Sequence, residues 1–163
     1  MTGGIMIRSF VALLMLVSLA LPGGQAVAQS AKELVGTYKF VSETREQDGI
    51  KTEVYRKGRL VLDANGNYVL TLVALHLPKV ASNNRMTATP EENKAIVSGS
   101  LAHFGTYSVA DNAHIFKIES ATFANWNGAE QKRPYILIGD ELKYSLAIAS
   151  GGGSLTLTWK REK

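Results

Sequence analysis

The feature that most constrains this chain is an alternation of apolar and polar side chains with period two, running through most of it beyond residue 29 and broken at short intervals by Gly, Asn or Asp. Successive side chains of a strand point to opposite faces, so a segment patterned this way buries one face and wets the other, as antiparallel strands do. About eight or nine strands are expected. The first spans Leu34 to Glu43, with Gly36, Tyr38, Phe40 and Ser42 on one face and Thr37, Lys39, Val41 and Glu43 on the other. Asp48-Gly49 turns the chain, one or two strands reach Leu62, and Asp63 to Asn67 is the strongest hairpin signal, because Asn65-Gly66 readily supplies positive φ angles. A strand from Tyr68 to Leu77 is apolar on both faces and is expected to be covered on both, by a helix or a partner chain. Further strands are expected around Gly105 and over Ile115 to Ala121, Pro134 to Ile138, Leu142 to Ile148 and Leu155 to Arg161.

One helix interrupts the pattern. Thr89 is a capping residue, Pro90 suits the first turn, and Glu92 stands three residues after the cap, which completes a capping box. The spacing of Val97, Leu101 and Phe104 predicts an apolar stripe on a helix ending near Ala102. Many antiparallel strands with one short helix suit either a closed barrel or a sandwich, and an all-β barrel is expected because closure leaves no edge to aggregate. The Gly-Thr-Tyr triplets at 36 and 105 are read as two strands that each begin with a bend-permitting glycine.

Residues 1–28 have a different character. Arg8 is followed by an apolar run from Phe10 to Leu21 and then by Ala26-Val27-Ala28, the layout of a cleavable secretory signal. The run is about a dozen residues, short of the ~20 that a spanning helix needs, so no stable membrane anchor is expected. Residues 29–163 are expected to form one domain, periplasmic or secreted. The chain has no cysteine, so disulfides are excluded and packing must supply the stability. Its net charge of +4 is spread without a long basic block, and the patch at Arg56, Lys57 and Arg59 lacks interleaved aromatics, which excludes nucleic acid as the expected partner.

Five segments in order resemble a bacterial family of lipocalin-like domains: Gly36 to Ser42, His103 to Tyr107, Phe123 to Arg133, Gly139 to Leu142 and Leu157 to Arg161. The resemblance covers most of residues 29–163 and implies a small barrel able to enclose an apolar molecule. It implies no established reaction. The chain departs from the family pattern at Ala124, where many members have proline, and at Phe116 and Lys117, where many have histidine.

On that architecture Tyr38, Phe40, Leu72, Tyr107, Trp126 and Tyr144 are expected to line a cavity, and Gln131 and Arg133 to orient a polar head group. A tryptophan and an arginine also stack merely to close a barrel end, as Trp159 and Arg161 are expected to do, and the sequence leaves both readings open for Trp126 and Arg133. His76 shares a face with Leu70, Leu72 and Ala74, so it is either an acid-base group in the cavity or a solvent-reaching residue at the strand end. The three histidines are too scattered to predict a metal site, no nucleophile motif is present, and no cofactor is expected. Gly151 to Gly153 lacks the lysine of a phosphate loop and is read as a turn. Loop 78–89 with the helix is a candidate lid. Binding of a small, mainly apolar molecule is the leading expectation; the alternatives are an isomerase or cyclase acting on an enclosed substrate, and a packed barrel that dimerises through the Val69 to Leu77 strand.

Overall fold

In the computed structural model, residues 31–149 and 152–163 are described. The expected leader lies outside them, as does Gly151. Nine strands form one antiparallel sheet: β1 (Gly36–Gln47), β2 (Ile50–Val54), β3 (Arg56–Leu62), β4 (Asn67–Ala74), β5 (Ser100–Ala110), β6 (Ala113–Ala121), β7 (Glu130–Ile138), β8 (Glu141–Leu146) and β9 (Ser154–Arg161). The helix α1 spans Pro90–Gly99. Along one edge of β1, Gly36 to Lys39 pair with β3 and Glu43 to Gln47 with β2, so β2 continues the line of β3. The other edge of β1 pairs with β9, from Tyr38 opposite Arg161 to Glu46 opposite Ser154, and this seam closes the sheet. The result is the expected all-β, lipocalin-like barrel: eight strands in a closed ring, one additional strand and one short helix.

The turns at residues 63–66, 111–112 and 139–140 gather at one end of the barrel. Asp63 organises the first of them by accepting from the backbone N–H groups of Asn65 at 2.8 Å and Asn67 at 2.7 Å. Asp111 and Asn112, with φ of 50° and 55°, make the second a tight turn of the kind that matches strand twist. Above this end the interior is filled by rings. Phe40 meets Trp159 edge-on at 5.3 Å and Tyr68 meets Phe116 at 4.6 Å, contacts worth about 0.5–1.5 kcal/mol each beyond the area they bury. Leu34, fully buried, plugs the bottom. Tyr38 donates its hydroxyl to the Leu34 carbonyl at 2.8 Å, and Arg161 donates to the Val35 carbonyl at 2.7 Å while lying 5.1 Å over the Tyr38 ring. The closing stack is therefore Arg161 on Tyr38, while Trp159 packs inside against Phe40 and Tyr144.

Four expectations are corrected by the backbone. The helix stops at Gly99, and Ser100 is both its cap and the first residue of β5. Gly99 packs closely on Leu77, to whose Cδ1 a Cβ would stand 2.7 Å away, and a glycine flanked by serines propagates a helix poorly. Leu101 consequently sits on the barrel wall and Phe104 faces out, 45% exposed, rather than continuing a helical stripe. The second correction concerns β4, which buries Tyr68, Leu70 and Leu72 on one face only; Val69 and Val73 on the other remain exposed. Third, a bulge between Phe40 and Ser42 reverses the alternation of β1, so Val41 is exposed and Glu43 is buried. Fourth, Gly105 lies in mid-strand, at an irregularity between β5 and β6, and does not begin β5.

Gly105 is required by close approach. A Cβ there would lie 2.0 Å from the Lys117 carbonyl oxygen and 2.8 Å from the Glu119 nitrogen, both backbone atoms that cannot swing aside. Gly105→Ala is expected to lower stability in urea by about 3 kcal/mol, the upper range for overpacking. Gly128→Ala, where φ is 78° but no atom lies within 4 Å, is expected to cost about 1 kcal/mol. Equal losses in the two variants would contradict the steric account.

Candidate functional site

Rings fill the interior only part of the way. At the other end, the inward positions of β4, β5, β8 and β9 carry Leu70, Leu72, Leu101, Tyr144, Leu146, Leu155 and Leu157, and they leave a cavity of about 690 Å³. Ile96, Val97 and Ser98 of α1 stand at its rim with Thr122, Phe123 and Trp126. The start of the helix is fixed by its capping box, in which Thr89 Oγ1 accepts from Glu92 N–H at 3.2 Å and Glu92 accepts from Thr89 N–H at 2.8 Å. Glu92 also accepts from the Ala81 N–H at 2.9 Å, which ties loop 78–89 back onto the helix.

Three arginines and one glutamate supply the charge of the cavity. The β1 bulge turns Glu43 inward, where each carboxylate oxygen meets one guanidinium: Oε1 lies 3.2 Å from Arg45 Nη2 and Oε2 lies 3.2 Å from Arg56 Nε. Arg45 also donates to the Gly152 carbonyl at 3.4 Å. Arg133 stands apart from this trio. Only 3% exposed, it lies 5.0 Å from the centre of the Phe116 ring and 5.2 Å from that of Tyr144, and it donates to the Gln131 side-chain carbonyl. Among the described residues its Nε–H has no partner.

Two histidines share the interior. His103, on β5, lies 2.9 Å through Nδ1 from the Tyr68 hydroxyl and meets Trp126 edge-on at 5.7 Å. His114, fully buried on β6, is surrounded by Tyr107, Phe116, Tyr135 and Tyr144, and neither of its ring nitrogens has a hydrogen-bond partner. Burial first, and the Arg133 charge second, push both histidines down to about 3. Burial also pushes the Tyr68 hydroxyl up to about 12 and raises that of Tyr144. Both histidines are therefore neutral at pH 7.

The structure brings together four of the nine residues expected at a ligand site: Leu72, Trp126, Arg133 and Tyr144 all border the cavity. Gln131 borders a shallower cleft of about 430 Å³ on the other side of Trp126 and reaches the cavity through Arg133. Tyr38, Phe40 and Tyr107 belong instead to the packed end. His76 lies beyond the end of β4, exposed and away from the cavity, because the strand stops at Ala74. Trp126 packs against His103 and Phe123, and the rings next to Arg133 are Phe116 and Tyr144. Sequence reasoning missed Glu43, Arg45 and Arg56 as cavity residues. The only signal was the opposite charges of Glu43 and Arg45 on one strand face, and the bulge hides which face that is. Among the described residues, no cluster of His, Cys, Asp or Glu is arranged to hold a metal.

A family model described as the lipocalin-like domain matches residues 35–162, that is, the whole barrel from the start of β1 to the end of β9. The chain belongs to the lipocalin-like domain family. Among curated proteins, none matches it in sequence. Among solved structures, a redesigned β-barrel is similar at 13% identity, with a TM-score of 0.44, over 82% of this chain and 95% of the other. In this lipocalin-like chain, then, one end of the barrel is filled and the other is hollow, lined with leucines and carrying an excess of positive charge.

The histidines make stability depend on pH. Their folded values lie below the ordinary 6.5, so between pH 6.5 and 3 the unfolded chain takes up protons that the folded chain refuses. Stability is complete above pH 6.5 and falls on acidification, by up to about 1.4 kcal/mol per pH unit for each histidine. Urea midpoints measured from pH 7.5 to 4.5 are expected to fall steeply below 6.5, and His114→Leu is expected to shallow that slope. An unchanged slope would show that His114 does not resist protonation.

Proposed function

We propose that this lipocalin-like protein is exported and binds a small, mainly apolar molecule inside its barrel. The observation that carries the reading is the cavity of about 690 Å³, whose apolar wall is built mainly of leucines, set against a packed lower half. A volume of this order suits a ligand of some tens of atoms, and burying apolar surface at roughly 25 cal/mol per Å² drives its entry. A hollow in a barrel of eight strands is a specific feature, because side chains at this width are able to fill the interior, as they do in the lower half. Export rests on the leader-like sequence of residues 1–28.

N-phenyl-1-naphthylamine, a neutral apolar dye that brightens out of water, tests the cavity. The purified protein is expected to bind it saturably, and Leu155→Trp, which places an indole in the hollow, is expected to weaken binding at least about tenfold with far-UV circular dichroism unchanged. Unaltered dye binding in that variant would move the ligand elsewhere. Export has its own check: protein recovered from its native host is expected to begin at Gln29, and retention of Met1 would overturn it.

A further inference from the structure

A guanidinium withdrawn from water is costly unless an anion compensates it. In this cavity the compensation is uneven. Glu43 spends both carboxylate oxygens on Arg45 and Arg56, one on each. Arg133, 3% exposed, has no such partner: among the described residues no carboxylate lies within ion-pairing distance of it, and it meets two ring faces, the amide of Gln131 and the Tyr144 hydroxyl, all neutral. Cation–π contact recovers part of the lost hydration and leaves the net charge in place. The unpartnered Nε–H is a donor with nothing to donate to.

A second polar side chain borders the same cavity. The buried Tyr68 hydroxyl and Nδ1 of His103 lie 2.9 Å apart, and which of them donates follows the tautomer of the ring. A neutral imidazole that accepts at Nδ1 carries its own proton on Nε2, and that nitrogen is buried and without a partner. The cavity therefore meets the Arg133 charge and the His103 ring, with only neutral acceptors, the Gln131 carbonyl and the Tyr144 hydroxyl, beside the guanidinium and, among the described residues, no anion to balance it. Leu70 lies level with His103 and Leu157 level with Tyr144, and Leu72, Leu101, Leu146 and Leu155 stand one inward position farther from the packed end.

We propose that this floor receives the acidic head, a carboxylate or an equivalent oxyanion, of a ligand whose apolar body lies among those leucines. Arg133 and His103 are the residues that hold the head. The inference rests on the reading of the barrel as a ligand carrier and specifies which end of the ligand enters first. Two bonds to an ion, made where water is excluded, discriminate against a neutral head by about ten- to a hundredfold.

Displacement of N-phenyl-1-naphthylamine by dodecanoate and by 1-dodecanol, which share a chain length, reads this directly. The alcohol is the more apolar of the two, so hydrophobicity alone favours it. The inference expects dodecanoate to displace the dye at a concentration at least about tenfold lower. In Arg133→Met the ratio is expected to collapse to within about threefold, and in His103→Phe to shrink by a smaller factor. Equal displacement by the two compounds, or a ratio that survives Arg133→Met, would overturn the inference and leave the carrier reading standing. Failure of the dye and both compounds to bind would overturn the carrier reading and the inference with it. Should Arg133→Met not fold, carboxyl-labelled [13C]dodecanoate on the unaltered protein decides the matter. A carboxyl signal that stays in its ionised position at least one pH unit below the free acid's midpoint supports a head held by Arg133, and a midpoint equal to or above that of the free acid overturns it.

Discussion

The structure depends on the seam between β1 and β9. Until the first and last strands pair, the sheet has two open edges and an interior with no fixed width; once Tyr38 faces Arg161 and Glu46 faces Ser154, both are set. The pairing joins residues more than a hundred positions apart, so it is entropically the most demanding contact in the fold. Several neighbouring contacts reinforce it. Arg161, on β9, is tied to the backbone before β1 through the Val35 carbonyl and stacks on Tyr38, while Phe40 and Trp159 meet across the seam. The same seam contains the bulge that delivers Glu43 to the interior, so the element that closes the barrel also sets the charge of its hollow.

Inside a ring of fixed width, residue size decides what is solid and what is empty. Trp159, Tyr38, Tyr68 and Phe116 span the interior from opposite walls, and where they stand no room remains. Leucine is too short to do this from the wall of an eight-strand barrel. Where leucines replace rings on β4, β5, β8 and β9, space is left between them. The boundary between the two regimes passes through Tyr144 and Arg133, and that is why a buried cation lies at the floor of the hollow. Gln131 and the two rings hold the guanidinium in position without neutralising it.

Much of this was legible in the chain itself. Strand alternation, the Asp63 to Asn67 turn and the Thr89 to Glu92 capping box are local signals whose physics is complete within a few residues, and each appears in place. Arg133 and Trp126 stand out because a guanidinium and an indole fall together at one strand-entry loop, Trp126 on the short turn before β7 and Arg133 on β7 itself. Tyr38, Phe40 and Tyr107 could not be told from cavity residues, because an inward aromatic ring reads the same whether the opposite wall is a ring or a leucine. Glu43 was misplaced because a bulge adds one residue without altering the apparent period, and only the register with β9 reveals it. His76 was drawn inward by a pattern that outlasted its strand, which ends at Ala74.

The splice between α1 and β5 has a mechanical consequence. No linker separates them: Ser100 ends the helix, binds back to the Ile96 carbonyl at 2.6 Å, and in the same residue enters the β4–β5 ladder opposite Val73. A helix joined to a sheet in this way cannot swing freely. Lifting it from the rim must either pivot at Gly99 or peel the first rungs of that ladder, so motion of the helix is coupled to the fraying of a strand end.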